Sequence, residues 1–227
     1  MQHKVIDTTE VGIRFAGDSG DGMQLTGSLF ADMSAIYGNG LSTFPDYPAE
    51  IRAPHGTVSG VSGFQVHIGD DKVNTPGDFC DLLVAMNPAA LKANAKWCKR
   101  HAMIILDSDA FDEAGMKKAG FQTDDPFVEL GVEDRTLIIA PITTLTKESL
   151  KDSGMDLKSI LKCKNMFTLG VACYIYVVDL STPLYVDDTQ SVDITREVRR
   201  SLGISDDKTL EALQAQLQAQ AQAQQAQ

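Results

Sequence analysis

The chain has 227 residues, 43% of them hydrophobic, enough to bury one good core with at most a small appendage. Its formal net charge of -11 works against a nucleic-acid partner, because phosphate binding needs a basic face. MQHKVIDTTE at the N-terminus has no apolar signal-type core and no apolar run is long enough to cross a bilayer, so a cytoplasmic protein with no membrane partner is expected.

Residues 1–10 are polar and read as a lead-in. Val11, Ile13 and Phe15 alternate with Gly12 and Arg14 and predict a first strand. Gly17-Asp18-Ser19-Gly20-Asp21-Gly22 follows, and then Leu25, Leu29, Met33, Ile36 and Tyr37 recur at the spacing of a core-facing helical stripe. Strand, glycine turn and helix open an α/β domain, and in such sheets the turn lies at the ligand-binding edge. Gly38-Asn39-Gly40 supplies a turn and Leu41–Phe44 a brief strand. From Phe44 to Gly56 the sequence FPDYPAEIRAPHG carries three prolines, which forbid regular helix, together with Tyr47, Glu50, Arg52 and His55. It is either a surface connector or a stiffened docking loop.

Thr57–Ile68 reads as a strand with two glycines inside it, the mark of a bulge or a close backbone approach. Asp81–Met86 is a strand covered on both faces, and Pro88 starts a helix over Ala89–Lys99. Ala102–Leu106 and Thr136–Ala140 are further buried strands, with helix resuming near Thr144. Asn165–Val178 is apolar nearly all round and predicts a buried or interface helix. The expected fold is a three-layer α/β/α sandwich on a mostly parallel or mixed sheet, mixed where Thr57–Ile68 pairs. From residue 181 the chain turns polar and ends in alanine–glutamine low complexity, a tail with no assigned role. Cys80, Cys98, Cys163 and Cys173 lie far apart in sequence without a CxxC pair and read as buried thiols in a reducing compartment.

Four chemistries compete for the glycine turn. Its glycines run GxxGxG rather than GxGxxG, and Asp18 and Asp21 would repel a pyrophosphate. Gly-Asp-Ser after a first strand would make Ser19 a hydrolase nucleophile, but the residues three before His55, His67 and His101 are Arg52, Phe64 and Cys98, so no Asp–His base is placed. Gly20-Asp21-Gly22 starts like a thiamine-diphosphate signature, although Asn39 arrives too early to complete its magnesium site. The fourth reading is a tight turn with aspartates at their preferred turn and helix-start positions.

Taken together, FAGDSGDGMQLTGSLFADMSAIYG, the loop FPDYPAEIRAPHGTVSGVSGFQVHIG and the later DLLVAMNPAAL resemble one family. They are similar to the gamma subunit or gamma domain of 2-oxoacid:ferredoxin oxidoreductases, most of all the N-terminal gamma portion of the 2-oxoglutarate enzyme's alpha chain. The likeness runs from Val11 to about Tyr176 and places a gamma-type domain at residues 11–180, ahead of a polar extension at 181–227. It implies a component of an enzyme that turns a 2-oxoacid, coenzyme A and oxidised ferredoxin into acyl-CoA, carbon dioxide and reduced ferredoxin. Thiamine diphosphate, magnesium and iron–sulfur clusters would belong to the alpha and beta partners and none to this chain, which would have no catalytic residue and no metal. Its role would be to pack on the thiamine-binding parts and help form or close the coenzyme A site, with ferredoxin an indirect partner. The contact candidates are Gly17, Asp18, Ser19, Gly20, Asp21, Gly22, Tyr47, Glu50, Arg52 and His55. Arg52 is the best single candidate for an anionic phosphate or a partner carboxylate. A separate subunit, a truncated fused chain and a binding module without turnover all remain open, as does a hydrolase using Ser19.

Overall fold

In the computed structural model, residues 8–47, 60–69 and 72–176 are described. Strand β1 (Glu10–Asp18) runs through the middle of a six-stranded sheet of order β2-β3-β1-β4-β5-β6. The other strands are β2 (Gly40–Asp46), β3 (Val61–Gly69), β4 (Cys80–Ala85), β5 (Cys98–Asp107) and β6 (Thr136–Ala140). β1 pairs with β3 antiparallel and with β4 parallel, while β5 and β6 continue the parallel half. The sheet is therefore mixed, and the change of sense falls at Val61–Gly69, within the segment where mixing was expected.

Val11 to Gly17 are all buried, so β1 is covered on both faces. Ile13, Phe15, Leu82, Val84 and Ile105 share one apolar cluster with helices α1 (Met23–Ile36), α5 (Ile142–Leu150) and α7 (Lys164–Ile175). Ala16, Leu83, Ala85, Ile104 and Leu106 share the other with α2 (Pro88–Asn94) and α4 (Pro126–Leu130). Helix α3 (Glu113–Lys118) packs on α2, and α6 (Leu157–Lys162) packs on α5 and α7. Three layers result.

Five expectations are corrected. The core face of α1 is Met23, Thr26, Gly27, Phe30, Ala31, Met33 and Ser34, whereas Leu25, Ile36 and Tyr37 are exposed and Leu29 is half-buried. The helix lies so close to β3 and α7 that small residues carry much of the contact, so a stripe drawn from large side chains caught Met33 and Leu29 but missed the rest of the face. Gly60 lies before β3 and not within it, leaving Gly63 as the strand glycine. Helix α2 stops at Asn94, because that side chain is drawn into the buried polar network of β1; a 3-10 turn then leads to β5 at Cys98, so Lys99 is a strand residue. Thr136–Ala140, expected as a buried strand, is the edge strand β6, with Thr136 and Ile139 exposed and the other three residues half-buried, because only β5 flanks it. Of the four cysteines expected as buried thiols, Cys163 is only half-buried, at the end of a short surface helix, while Cys80 and Cys98 are buried register partners on β4 and β5.

Three short helices escaped the sequence reading, yet each carries an aspartate cap. Asp112, Asp125 and Asp156 accept from Gly115 N, Phe127 N and Ser159 N, with Pro126 in the first turn after Asp125. Helix α7 has eight buried residues among its twelve and fits the expectation of an apolar helix held inside the domain. Residues 177–227 lie outside the described part. Among the described residues no helix is long and apolar enough to cross a membrane.

Candidate functional site

The parallel strands β1, β4 and β5 all end at one edge. The glycine turn leaves β1 there, Asn87 follows β4, and Asp107 closes β5. Because β3 is antiparallel to β1, Val61 pairs with Asp18, and the end of β2 at Asp46 lies at the same edge. The turn thus shares this edge with the two ends of the proline-containing segment, whose residues 48–59 lie outside the described part.

Most of the turn has an internal task. A Cβ on Gly17 would meet Asp21 Oδ2 at 2.8 Å, and Gly22 has φ +73 with Asn165 packed against it. Asp21 Oδ2 accepts from Asp18 N (2.9 Å), and Asp21 Oδ1 pairs with Lys164 Nζ at 3.0 Å. Asp18 Oδ1 accepts from Asn87 Nδ2 (2.9 Å), whose own Oδ1 caps α2 at Ala90 N (2.8 Å). The aspartates fasten the turn to α7 and α2. Replacing Asn87 by alanine removes a helix cap and the Asp18 tie together, and is expected to lower stability by about 1–2 kcal/mol in urea unfolding.

Ser19 is exposed, and both its N–H and its hydroxyl donate to Gly60 O, each at 3.1 Å. The hydroxyl hydrogen is therefore directed to a backbone carbonyl and not to an imidazole. His67, at the opposite edge, has Nδ1 2.8 Å from Thr75 O and Nε2 3.4 Å from Glu10 Oε2, and borders a cavity of about 440 Å³ with Thr9 and Lys72. That cavity is remote from the turn and plays no part in its chemistry.

The stems of the β2–β3 loop are gripped from β1 and α1. Gln24 Nε2 donates to Gly63 O (2.6 Å), Ser62 Oγ (3.0 Å) and Asp46 O (3.4 Å). Arg14, 6% exposed, donates to Asp46 Oδ2 (2.5 Å), Gln65 Oε1 (2.9 Å) and Asn94 Oδ1 (2.6 Å). Tyr47, next to Asp46, is 67% exposed at the loop's start. Glu50, Arg52 and His55 lie outside the described residues. Sequence reasoning missed Arg14, Gln24, Asn87 and Lys164. Arg14 alternates with Ile13 and Phe15 and so gives no sequence signal of burial, whereas Asn before Pro was the signal for the cap.

Gly20 stands apart. It is exposed, its φ is not among the positive values, and a Cβ there would meet nothing within 4 Å. No packing or backbone reason inside the described residues requires glycine at this position. Farther along the edge, Asp107 is fully buried and accepts from Thr143 Oγ1 (2.6 Å) and Thr143 N (3.2 Å), tying β5 to α5. Among the described residues no group of three or more His, Cys, Asp and Glu is placed to hold a metal.

Fold and edge together define a three-layer α/β domain with a glycine-rich turn at the end of its parallel strands. The chain belongs to the pyruvate ferredoxin/flavodoxin oxidoreductase family, which it matches over residues 12–222. It is 48% identical over 164 residues to 2-oxoglutarate oxidoreductase subunit KorA of Mycobacterium tuberculosis (strain ATCC 25618 / H37Rv), a stretch covering 72% of this chain and 25% of KorA. The chain thus corresponds to about a quarter of that relative's length. Its fold is that of a structure of 2-oxoglutarate:ferredoxin oxidoreductase from Magnetococcus marinus with 2-oxoglutarate, coenzyme A and succinyl-CoA bound, at TM-score 0.56 and 22% identity over 96% of this chain and 32% of that one. It is equally the fold of a keto/oxoacid ferredoxin oxidoreductase gamma subunit from Geobacter sulfurreducens, at TM-score 0.54 and 20% identity over 86% of this chain and 95% of that one. The family match extends past the 11–180 span drawn from the motifs, into the residues outside the described part.

Proposed function

We propose that this chain is the gamma component of a 2-oxoacid:ferredoxin oxidoreductase acting on 2-oxoglutarate. It packs on the thiamine-binding parts and helps form the coenzyme A site, while the redox chemistry proceeds on cofactors held by those partners. The 48% identity to KorA supports the choice of 2-oxoglutarate, and the coenzyme A in the Magnetococcus enzyme supports the choice of ligand. The observation that carries the reading is Gly20. Gly17 and Gly22 are explained by contacts within the chain, but Gly20 faces outward with open space around it. A bare backbone at the ligand edge lets a partner chain or coenzyme A approach more closely than any side chain would allow. Arg52, Glu50, His55 and Tyr47 supply the loop side of the contact, with the Arg52 guanidinium on an anionic phosphate or a partner carboxylate.

The test is made on the oxidoreductase purified from the native host through this chain. Gly20→Val should leave the chain's own stability within about 0.5 kcal/mol. In the assembled enzyme it should raise KM for coenzyme A about tenfold or more, or prevent association with the thiamine-binding parts. Arg52→Lys should weaken coenzyme A dependence in the same direction. Purification without a thiamine-containing partner, or both variants with unchanged coenzyme A kinetics and assembly, would reject the role.

A further inference from the structure

Cys80 opens β4 and Cys98 opens β5, and the two are register partners in the parallel ladder. Both side chains belong to the apolar cluster beneath α2, so they point to the same face of the sheet. Adjacent strands lie about 4.8 Å apart, inside the Cα separation of about 4.4–6.8 Å that a disulfide spans. Immediately beyond them the register slips, from Cys80↔Cys98 to Leu82↔Met103. The dithiol therefore sits at a loosened end of the ladder, where the backbone can shift to meet disulfide geometry without disturbing the regular pairs.

The surroundings favour reaction at one of the two sulfurs. The Cys80 thiol donates to Trp97 O (3.4 Å), and Arg135 and Arg14 lie close enough to act on Cys98. The neighbouring Cys80 side chain, reinforced by those cations and opposed by burial, lowers the Cys98 thiol below its ordinary value, while the Cys98 sulfur and burial push Cys80 up. Cys173, buried without such partners, is pushed up to about 12 and is inert by comparison. Both cysteines of the pair are buried, Cys98 with 7% of its surface exposed and Cys80 with none. The preceding residues Phe79 and Trp97 pair at 6.4 Å between ring centroids, and Phe79 is 50% exposed.

We infer that Cys80 and Cys98 are a modification site, a dithiol that a small hydroperoxide converts to an intramolecular disulfide. The Cys98 thiolate attacks the peroxide, the O–O bond breaks, and Cys98 becomes a sulfenic acid as hydroxide leaves. The Cys80 sulfur then attacks the sulfenic sulfur, the S–O bond breaks, and hydroxide departs again. The two hydroxides leave as water, one with the Cys80 proton and the other with the proton that Cys98 gave up on ionising. Two thiols and one hydrogen peroxide thus give one disulfide and two waters, and a dithiol reductant reverses the change.

The test uses the intact chain, treated with hydrogen peroxide and then denatured in N-ethylmaleimide before peptide mass spectrometry. Two of the four cysteines should no longer alkylate, and a peptide pair joined through Cys80 and Cys98 should appear two hydrogens lighter than the free pair. Dithiothreitol should restore alkylation at all four. The double variant Cys163→Ser, Cys173→Ser should still form the link. Cys80→Ser should trap the Cys98 sulfenic acid, raising dimedone labelling about fivefold over the unmodified sequence. Full alkylation of the wild-type chain after peroxide, a link through Cys163 or Cys173, or overoxidation of Cys98 without a link would each overturn the assignment. The wild-type arm decides even where a variant fails to fold.

Discussion

Arg14→Leu is expected to destabilise the chain by about 3 kcal/mol, read from the urea midpoint at constant slope. The reasoning separates the three partners of Arg14. Its salt-bridge partner Asp46 is 46% exposed, so water screens that carboxylate when the cation is gone and little is lost there. Gln65 and Asn94 are 2% and 3% exposed, and each would be left with a buried oxygen that has lost its donor, a loss of about 1–3 kcal/mol apiece. Asp46→Ala should therefore cost under about 1 kcal/mol, several times less than the arginine change. Arg14→Lys should fall between, since an ammonium supplies the charge without the planar fork that reaches three acceptors at once. If Asp46→Ala proves as damaging as Arg14→Leu, the bond to the loop stem dominates and the buried amides do not.

Gly27→Ala should lose about 2–3 kcal/mol even though alanine is the better helix former by about 1 kcal/mol. Gly27 is buried in the middle of α1, and a Cβ there would lie 2.8 Å from Phe64 Cβ and nearer still to Cγ and Cδ1 of the ring. Phe64 is 7% exposed and held in the register of β3 opposite Phe15, so it has little room to withdraw. The decisive measurement is a double-mutant cycle with Phe64→Leu, which opens space at that contact. The pair should show an interaction of at least about 1 kcal/mol in the direction of rescue. Purely additive losses would place the damage somewhere other than this contact.

These two sites mark where the sequence was legible and where it was not. A run such as DLLVAM announces itself as a doubly covered strand, and strand β4 is buried almost throughout, whereas TLIIA has the same look and forms the edge strand β6, with no residue buried. The face of α1 that enters the core was only partly read, through Met33 and Leu29, since Gly27 and Ser34 make contacts that hydrophobicity does not record. Arg14 looks like an outward residue in an alternating strand until Asn94 and Gln65, 80 and 51 residues away, are seen around it. The Cys80–Cys98 pairing follows from parallel register, which no local pattern encodes. In the candidate site Asp18, Asp21 and Ser19 serve chiefly as fasteners of the turn, a division of labour that appears only when Asn87, Lys164 and Gly60 are in view.

The packing of α7 against α1 also bears on how the chain emerges from a ribosome. Thr26 Oγ1 reaches Asn165 O at 3.4 Å, and Gly22 meets the same asparagine, so the first helix rests on a segment made some 139 residues after it. Strands β1 to β3 can pair early, but Met23, Phe30 and Met33 gain the rest of their apolar cover only when Met166, Phe167 and Leu169 arrive. Throughout that interval the nascent domain carries an open greasy flank, the kind of surface that chaperones hold and that neighbouring nascent chains stick to. Arrival of α7, rather than formation of the central sheet, is then the event that closes this flank against aggregation.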